Sequence, residues 1–157
     1  MKRIALLVLA LAANAIADEK ELLQQIAEDF ETDVSTVKEC VNKAGMTIKD
    51  TDLASQKWDE TKNGEKIDNE TKESIMRYGR FIVCILENKD MMKNSKLVLD
   101  KILEGTEDEQ NASEVVSKEV ITECVKSLNR NDKLTEEERA LEFIICIIPQ
   151  EQTKDKK

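Results

Sequence analysis

The sequence predicts an all-α domain: a compact bundle of about six short helices around an apolar cavity, stapled by two disulfides. Three observations predict it. Apolar residues recur at i, i+3, i+4 and i+7 along most of the chain, and strand alternation is nowhere sustained. Only one Pro and four Gly punctuate 157 residues. Four Cys, an even number, follow an export leader, and an exported chain folds where thiols oxidise.

The leader comes first. Lys2 and Arg3 precede the apolar run Ile4 to Ala13, and Ala15-Ile16-Ala17 ends it with small residues at −3 and −1. A run of about ten apolar residues is too short to span a bilayer, so residues 1–17 read as a cleaved signal peptide. Localisation is therefore expected to be secreted and extracellular. The mature chain divides into a helical domain, 18–149, and a charged tail, 150–157.

Within the domain, Leu22, Leu23, Ile26 and Phe30 make one face of a first helix starting at Asp18. After a break near Thr32-Asp33, Val34, Val37 and Val41 continue the stripe, with Cys40 among them, and Gly45 is a stop signal. Thr47 and Asp50 resemble a capping pattern for a short helix holding Leu53. Asn63-Gly64 marks a turn, and the polar stretch Asp59 to Glu73 reads as a surface connection. Ile75, Tyr78, Ile82, Ile85 and Leu86 predict a strong helix through Cys84. A helix over Leu97 to Leu103 stops at Gly105. Asn111-Ala-Ser-Glu114 is expected to cap a long helix with the stripe Val116, Val120, Ile121, Cys124, Val125 and Leu128. Thr135-Glu-Glu-Glu138 is a capping box opening Leu141 to Ile148, ended by Pro149. Because Phe143 to Ile148 is apolar on all sides, it is expected in the middle of the domain.

Charge and composition exclude several classes. With 33 acidic against 24 basic residues the net charge is −9, and loss of the leader's two cations makes the mature chain more acidic still. Neither nucleic acid nor an anionic membrane surface suits such a chain. There is no His, which removes Ser-His and Cys-His nucleophiles and imidazole metal sites. The expectation is no enzyme, no cofactor and no metal. The acidic runs Glu107-Asp108-Glu109 and Glu136-Glu137-Glu138 lack the alternating ligands and Gly of a calcium loop, and read as solvated helix starts.

Cys40, Cys84, Cys124 and Cys146 are separated by 43, 39 and 21 residues, with no Cys-x-x-Cys. Four cysteines allow three pairings, and spacing does not choose among them. Each lies on a different predicted helix, so bridges tie helices together. Asn69-Glu-Thr71 and Asn111-Ala-Ser113 are N-glycosylation sequons, although capping alone explains Asn111.

At this point the chain resembles the insect odorant-binding proteins of the pheromone/general odorant-binding family. Glu39-Cys40-Val-Asn-Lys-Ala-Gly45-Met-Thr47 is similar to the segment around that family's first cysteine. Phe81-Ile-Val-Cys84, continuing to Met92, is similar to the segment around its third, and the later gaps suit its fourth and sixth. The family's second cysteine would fall at Arg80 and its fifth at Glu137. Their joint absence matches the C-minus type with four cysteines. The resemblance then implies the pairs Cys40–Cys84 and Cys124–Cys146, and it places Arg80 beside Glu137 or Glu138. The longer first gap reads as an insertion at 59–73.

The function expected is a secreted carrier that binds and transports small hydrophobic ligands (odorant, pheromone or lipid-like) without chemistry. Met46, Met76, Met91 and Met92 are flexible and polarisable, suiting an adaptable cavity. Candidate lining residues are Phe30, Met46, Leu53, Tyr78, Phe81, Ile82, Val120, Ile144 and Ile148. Tyr78 offers the only phenol, although a plain helix-surface role explains it more simply. Trp58 is either a lid or a surface staple. Burying roughly 300 Å² of ligand at ~25 cal/mol/Å² gives about 7 kcal/mol before association costs, enough for micromolar binding. The alternative is a secreted interaction, venom or humoral factor on the same scaffold with no obligatory ligand. A saposin-like module and a helical cytokine fit less well, on cysteine count and helix length.

Overall fold

The computed structural model describes residues 19–61, 66–107 and 116–147. Among them are seven helices and one small hairpin: α1 (Glu19–Asp29), α2 (Val34–Lys43), α3 (Ile48–Thr61), α4 (Asn69–Asn88), β1 (Met92–Lys93), β2 (Lys96–Leu97), α5 (Leu99–Glu107), α6 (Lys118–Arg130) and α7 (Glu136–Ile147). The signal peptide, the Asn63-Gly64 turn, Asn111, Pro149 and the charged tail lie outside the described residues.

The helix starts follow side-chain chemistry. Asp33 and Asp68 accept the N–H of Thr36 and Thr71, each at 2.6 Å, to begin α2 and α4. At α3 the exchange is reciprocal: Thr47 N–H donates to Asp50 Oδ2 (2.8 Å), and Asp50 N–H to Thr47 Oγ1 (3.2 Å). Thr135 and Glu138 form the predicted capping box in the same way, at 2.9 and 3.2 Å.

Three helices end in one motif. Gly45, at φ +69°, lets Met46 N–H reach Val41 O and Gly45 N–H reach Asn42 O. Glu31 (φ +51°) and Asp90 (φ +57°) turn the ends of α1 and α4 by the same pair of bonds, without glycine.

Several boundaries differ from the sequence reading, among them the helix expected to stop at Gly105, which continues through it to Glu107. Of the described residues in 59–73, 59–61 and 69–73 are helical, because α3 continues to Thr61 and Asp68 caps α4 before its apolar stripe begins. Leu97 is in β2, and the following helix starts at Leu99. Asn94 and Ser95, at φ +51° and +62°, make the two-residue hairpin turn between strands too short to show alternation. The cap of α6 is Ser117, accepting Val120 N–H at 3.3 Å, so Val116 precedes the helix.

The central helix is α4, packed against α2, α3 and α7, with Phe81 to Leu86 buried without a break. The apolar segment of α7 is not the middle. Phe143 and Ile147 are buried, but Ile144, Ile145 and Cys146 are half-buried, since α7 meets α4 and α6 on only part of its circumference. Where α7 crosses α4, a Cβ on Gly79 would stand 2.8 Å from Glu137 Cβ and 3.2 Å from Glu137 O. Only hydrogen fits there.

Both implied bridges form, Cys40–Cys84 between α2 and α4 and Cys124–Cys146 between α6 and α7. The hairpin is tied to the α6–α7 corner by polar contacts. Asn129 reads both backbone groups of Leu97 at 2.9 Å. Arg139, 3 % exposed, donates to the carbonyls of Ser95 (2.6 Å), Leu128 (3.0 Å), Asn131 (2.9 Å) and Leu134 (3.4 Å).

Candidate functional site

Among the described residues the apolar faces leave one cleft between α1, α4, α5 and α7 and another between α1, α3 and α4. The first, about 40 Å³, lies among Phe30, Ile85, Leu86, Met91, Phe143, Ile144 and Ile147. Its rim carries Asp29, Glu31 and Lys89, and its floor includes Gly105. The second, about 20 Å³, lies among Ile26, Phe30, Thr51, Tyr78 and Phe81. Phe30 lines both. Its ring meets Phe81 edge-on at 5.9 Å, while Tyr78 stacks on Phe81 at 6.1 Å.

These volumes are smaller than the ligand-sized cavity expected from the sequence. Forty cubic ångströms holds about three waters. The walls, however, are adaptable. Met91 has three rotatable side-chain bonds, and its Cε rests where a Cβ on Gly105 would come within 2.8 Å.

A larger groove of about 370 Å³ runs between α3 and α4, but its character is wrong for an apolar guest. Beside Met46 and Leu53 it is lined by Asp50, Lys57, Glu70, Glu73 and Arg77, with Arg77 Nη2 paired to Glu73 at 2.7 Å. We take the apolar pair of clefts as the candidate site.

The predicted lining residues are thus divided. Phe30, Tyr78, Phe81 and Ile144 reach the apolar clefts. Met46 and Leu53 reach the charged groove, Leu53 being 53 % exposed on the outer side of α3. Ile82 is fully buried and lines none of the three. Val120 is a correction: in the first turn of α6 it is 50 % exposed, because the apolar stripe there is wider than the face that packs. Ile148 lies outside the described residues. Trp58 is half-buried near the end of α3 and lines none of the three either. The sequence reading missed Asp29 and Lys89, which look like ordinary polar helix ends.

One comparison and the bridge pattern place this architecture. The PBP/GOBP family pattern matches residues 19–150. The chain belongs to the PBP/GOBP family. Four cysteines in two bridges fit the C-minus type. Neither the curated proteins nor the solved structures gave a match. Among the described residues no helix is long and apolar enough to cross a membrane, and no group of His, Cys, Asp or Glu is arranged to hold a metal ion.

Proposed function

We propose that this PBP/GOBP member is a secreted, non-enzymatic carrier of small hydrophobic molecules, processed after Ala17 and acting as a helical domain over 18–149. The observation that carries the reading is the position of Phe30, one ring between two apolar clefts. A rotation of that side chain joins them. The joined space would run from Lys89 and Ile144 at one end to Tyr78 and Thr51 at the other, and would widen further around a guest. Met91 supplies further give. The ligand site is therefore one that opens around its guest, which suits broad specificity at micromolar affinity.

The test is displacement of a neutral fluorescent probe, N-phenyl-1-naphthylamine, from the refolded mature domain. A panel of medium-chain alcohols, ethers, esters and terpenoids should compete. If the probe does not bind, or nothing in the panel competes, the carrier reading fails. Native mass spectrometry of protein purified from its source should show a co-purifying small lipid-like molecule.

A further inference from the structure

We propose that Asn69, the first residue of α4, is an N-glycosylation site whose glycan stands clear of the apolar clefts; this rests on the secreted reading. Asn69-Glu70-Thr71 is an acceptor triplet, Asn-x-Thr with no Pro in the middle. Such a triplet matters only where the asparagine meets the export machinery and can carry a bulky group once the chain has folded. The leader over residues 1–17 answers the first condition. The fold answers the second.

Lys66 to Glu70 are exposed without a break, with Asn69 among them. Among the described residues the Asn69 side chain makes no hydrogen bond or ion pair. Other asparagines commit their amides to the fold. Asn88 Nδ2 donates to Cys84 O at 2.9 Å, Asn129 binds both backbone groups of Leu97, and Asn131 Oδ1 accepts the N–H of Lys133 at 3.2 Å. At the start of α4 the capping falls to Asp68, which accepts Thr71 N–H at 2.6 Å. A sugar on Asn69 Nδ2 therefore breaks no cap and buries no polar group.

The transfer is made by a membrane-bound glycosyltransferase during export, from an oligosaccharide carried on a polyprenyl diphosphate. Asn69 Nδ2 attacks the anomeric carbon of the first sugar. A C–N bond forms as the C–O bond to the diphosphate breaks, the lipid diphosphate leaves with that electron pair, and one amide proton passes to a base on the transferase. Position sets what the glycan does next. At 1.5 Å of rise per residue, Asn69 is about 24 Å along α4 from Ile85 in the larger cleft and about 14 Å from Tyr78 in the smaller one. Its neighbour Glu70 lines the charged groove between α3 and α4 instead. Sugar hydroxyls donate to carboxylates and accept from cations, so they suit a surface of Asp50, Lys57, Glu73 and Arg77.

The experiment expresses the full chain, leader included, in cultured insect cells and collects the medium. The secreted protein should begin at Asp18, and peptide mapping before and after peptide N-glycosidase A should place a glycan on Asn69. Asn69→Gln should lose the mass of one glycan, while Thr71→Ser, which keeps the hydroxyl of the triplet, should retain it. If Asn69→Gln is not secreted, Thr71→Ala removes the acceptor and keeps the N–H that Asp68 caps. Parent and variant should bind N-phenyl-1-naphthylamine equally. A secreted chain bare at Asn69, or carrying sugar only at Asn111, overturns the assignment and leaves the secreted reading standing. A chain kept in the cell with its leader uncut overturns the secreted reading, and the assignment with it. Tighter probe binding by Asn69→Gln than by the glycosylated parent overturns the placement away from the clefts.

Discussion

Arg80 Nε lies 3.5 Å from Glu137 Oε1, joining α4 to α7 at the two positions where the wider family places a cysteine pair. Arg80 is 57 % exposed and Glu137 17 %. An ion pair this open to solvent is worth ~0–1 kcal/mol, far less than a bridge. A double-mutant cycle with Ala at both positions should therefore give a coupling below about 1 kcal/mol that fades as salt is raised. A coupling of several kcal/mol, independent of salt, would contradict it.

The packing beneath that pair matters more. Ala in a helix interior gains roughly 0.5–1 kcal/mol over Gly. At Gly79 the new Cβ collides with the Cβ and backbone of Glu137, which cannot yield as a flexible chain end can. Overpacking of this kind costs typically about 1–3 kcal/mol. Gly79→Ala should lower the urea midpoint. Gly105→Ala, whose neighbour is only the end of Met91, should leave it unchanged or raise it.

Phe30→Ala removes the ring between the two clefts. Loss of a buried Phe costs about 3–5 kcal/mol, and a joined cavity is left behind. The variant should melt earlier than the parent and recover more of its melting temperature when a bulky terpenoid is added, since ligand bound only to the folded form stabilises it. Thermal shift with and without the terpenoid reads both effects.

Arg139 holds the hairpin against the α6–α7 corner through four carbonyls. Arg139→Met leaves part-buried carbonyls without their donor, at a cost of about 1–3 kcal/mol. Arg139→Lys should recover little, because an ammonium cannot reproduce the planar fork. Hydrogen exchange should show residues 92–97 losing protection first in both variants.

The pH dependence of stability should come from carboxylates. The backbone N–H of Thr36 holds Asp33 below the usual carboxylate value of 3.8, Thr71 does the same to Asp68, and Thr47 to Asp50. A depressed folded-state pKa contributes stability that is fully present above the unfolded value and is lost as pH falls through the folded one. With no His in the chain, the urea midpoint should stay flat from about pH 5 to 8 and drop below about pH 4. A transition centred near pH 6.5 would contradict this.

Two helix starts were legible in sequence as capping patterns, those at Thr47 and Thr135, whereas the side-chain caps Asp68 and Ser117 were not. The ends of α1 and α4 were not, because Glu31 and Asp90 occupy a backbone conformation that the eye assigns to glycine. The hairpin escaped notice because two-residue strands carry no period. At the site, Phe30, Phe81 and Ile144 stood out as large apolar residues on helical stripes. Val120 stood out for the same reason and faces solvent, since periodicity marks a face without saying how far packing extends around it. Lys89 carries no motif; its bond to the Phe30 carbonyl depends on two helix ends converging from distant parts of the chain.

The two bridges do not overlap along the chain: one closes 40 to 84, the other 124 to 146. The protein is thus two separately stapled pieces that meet along α4 and α7. A single backbone cut anywhere between Cys84 and Cys124 would yield two fragments held by no covalent bond. The larger cleft straddles this seam, with Phe30 and Lys89 on one piece and Phe143 and Ile147 on the other. A guest would act as glue between them, so the molecule can be run as a split reporter in which reassembly of the halves measures the ligand.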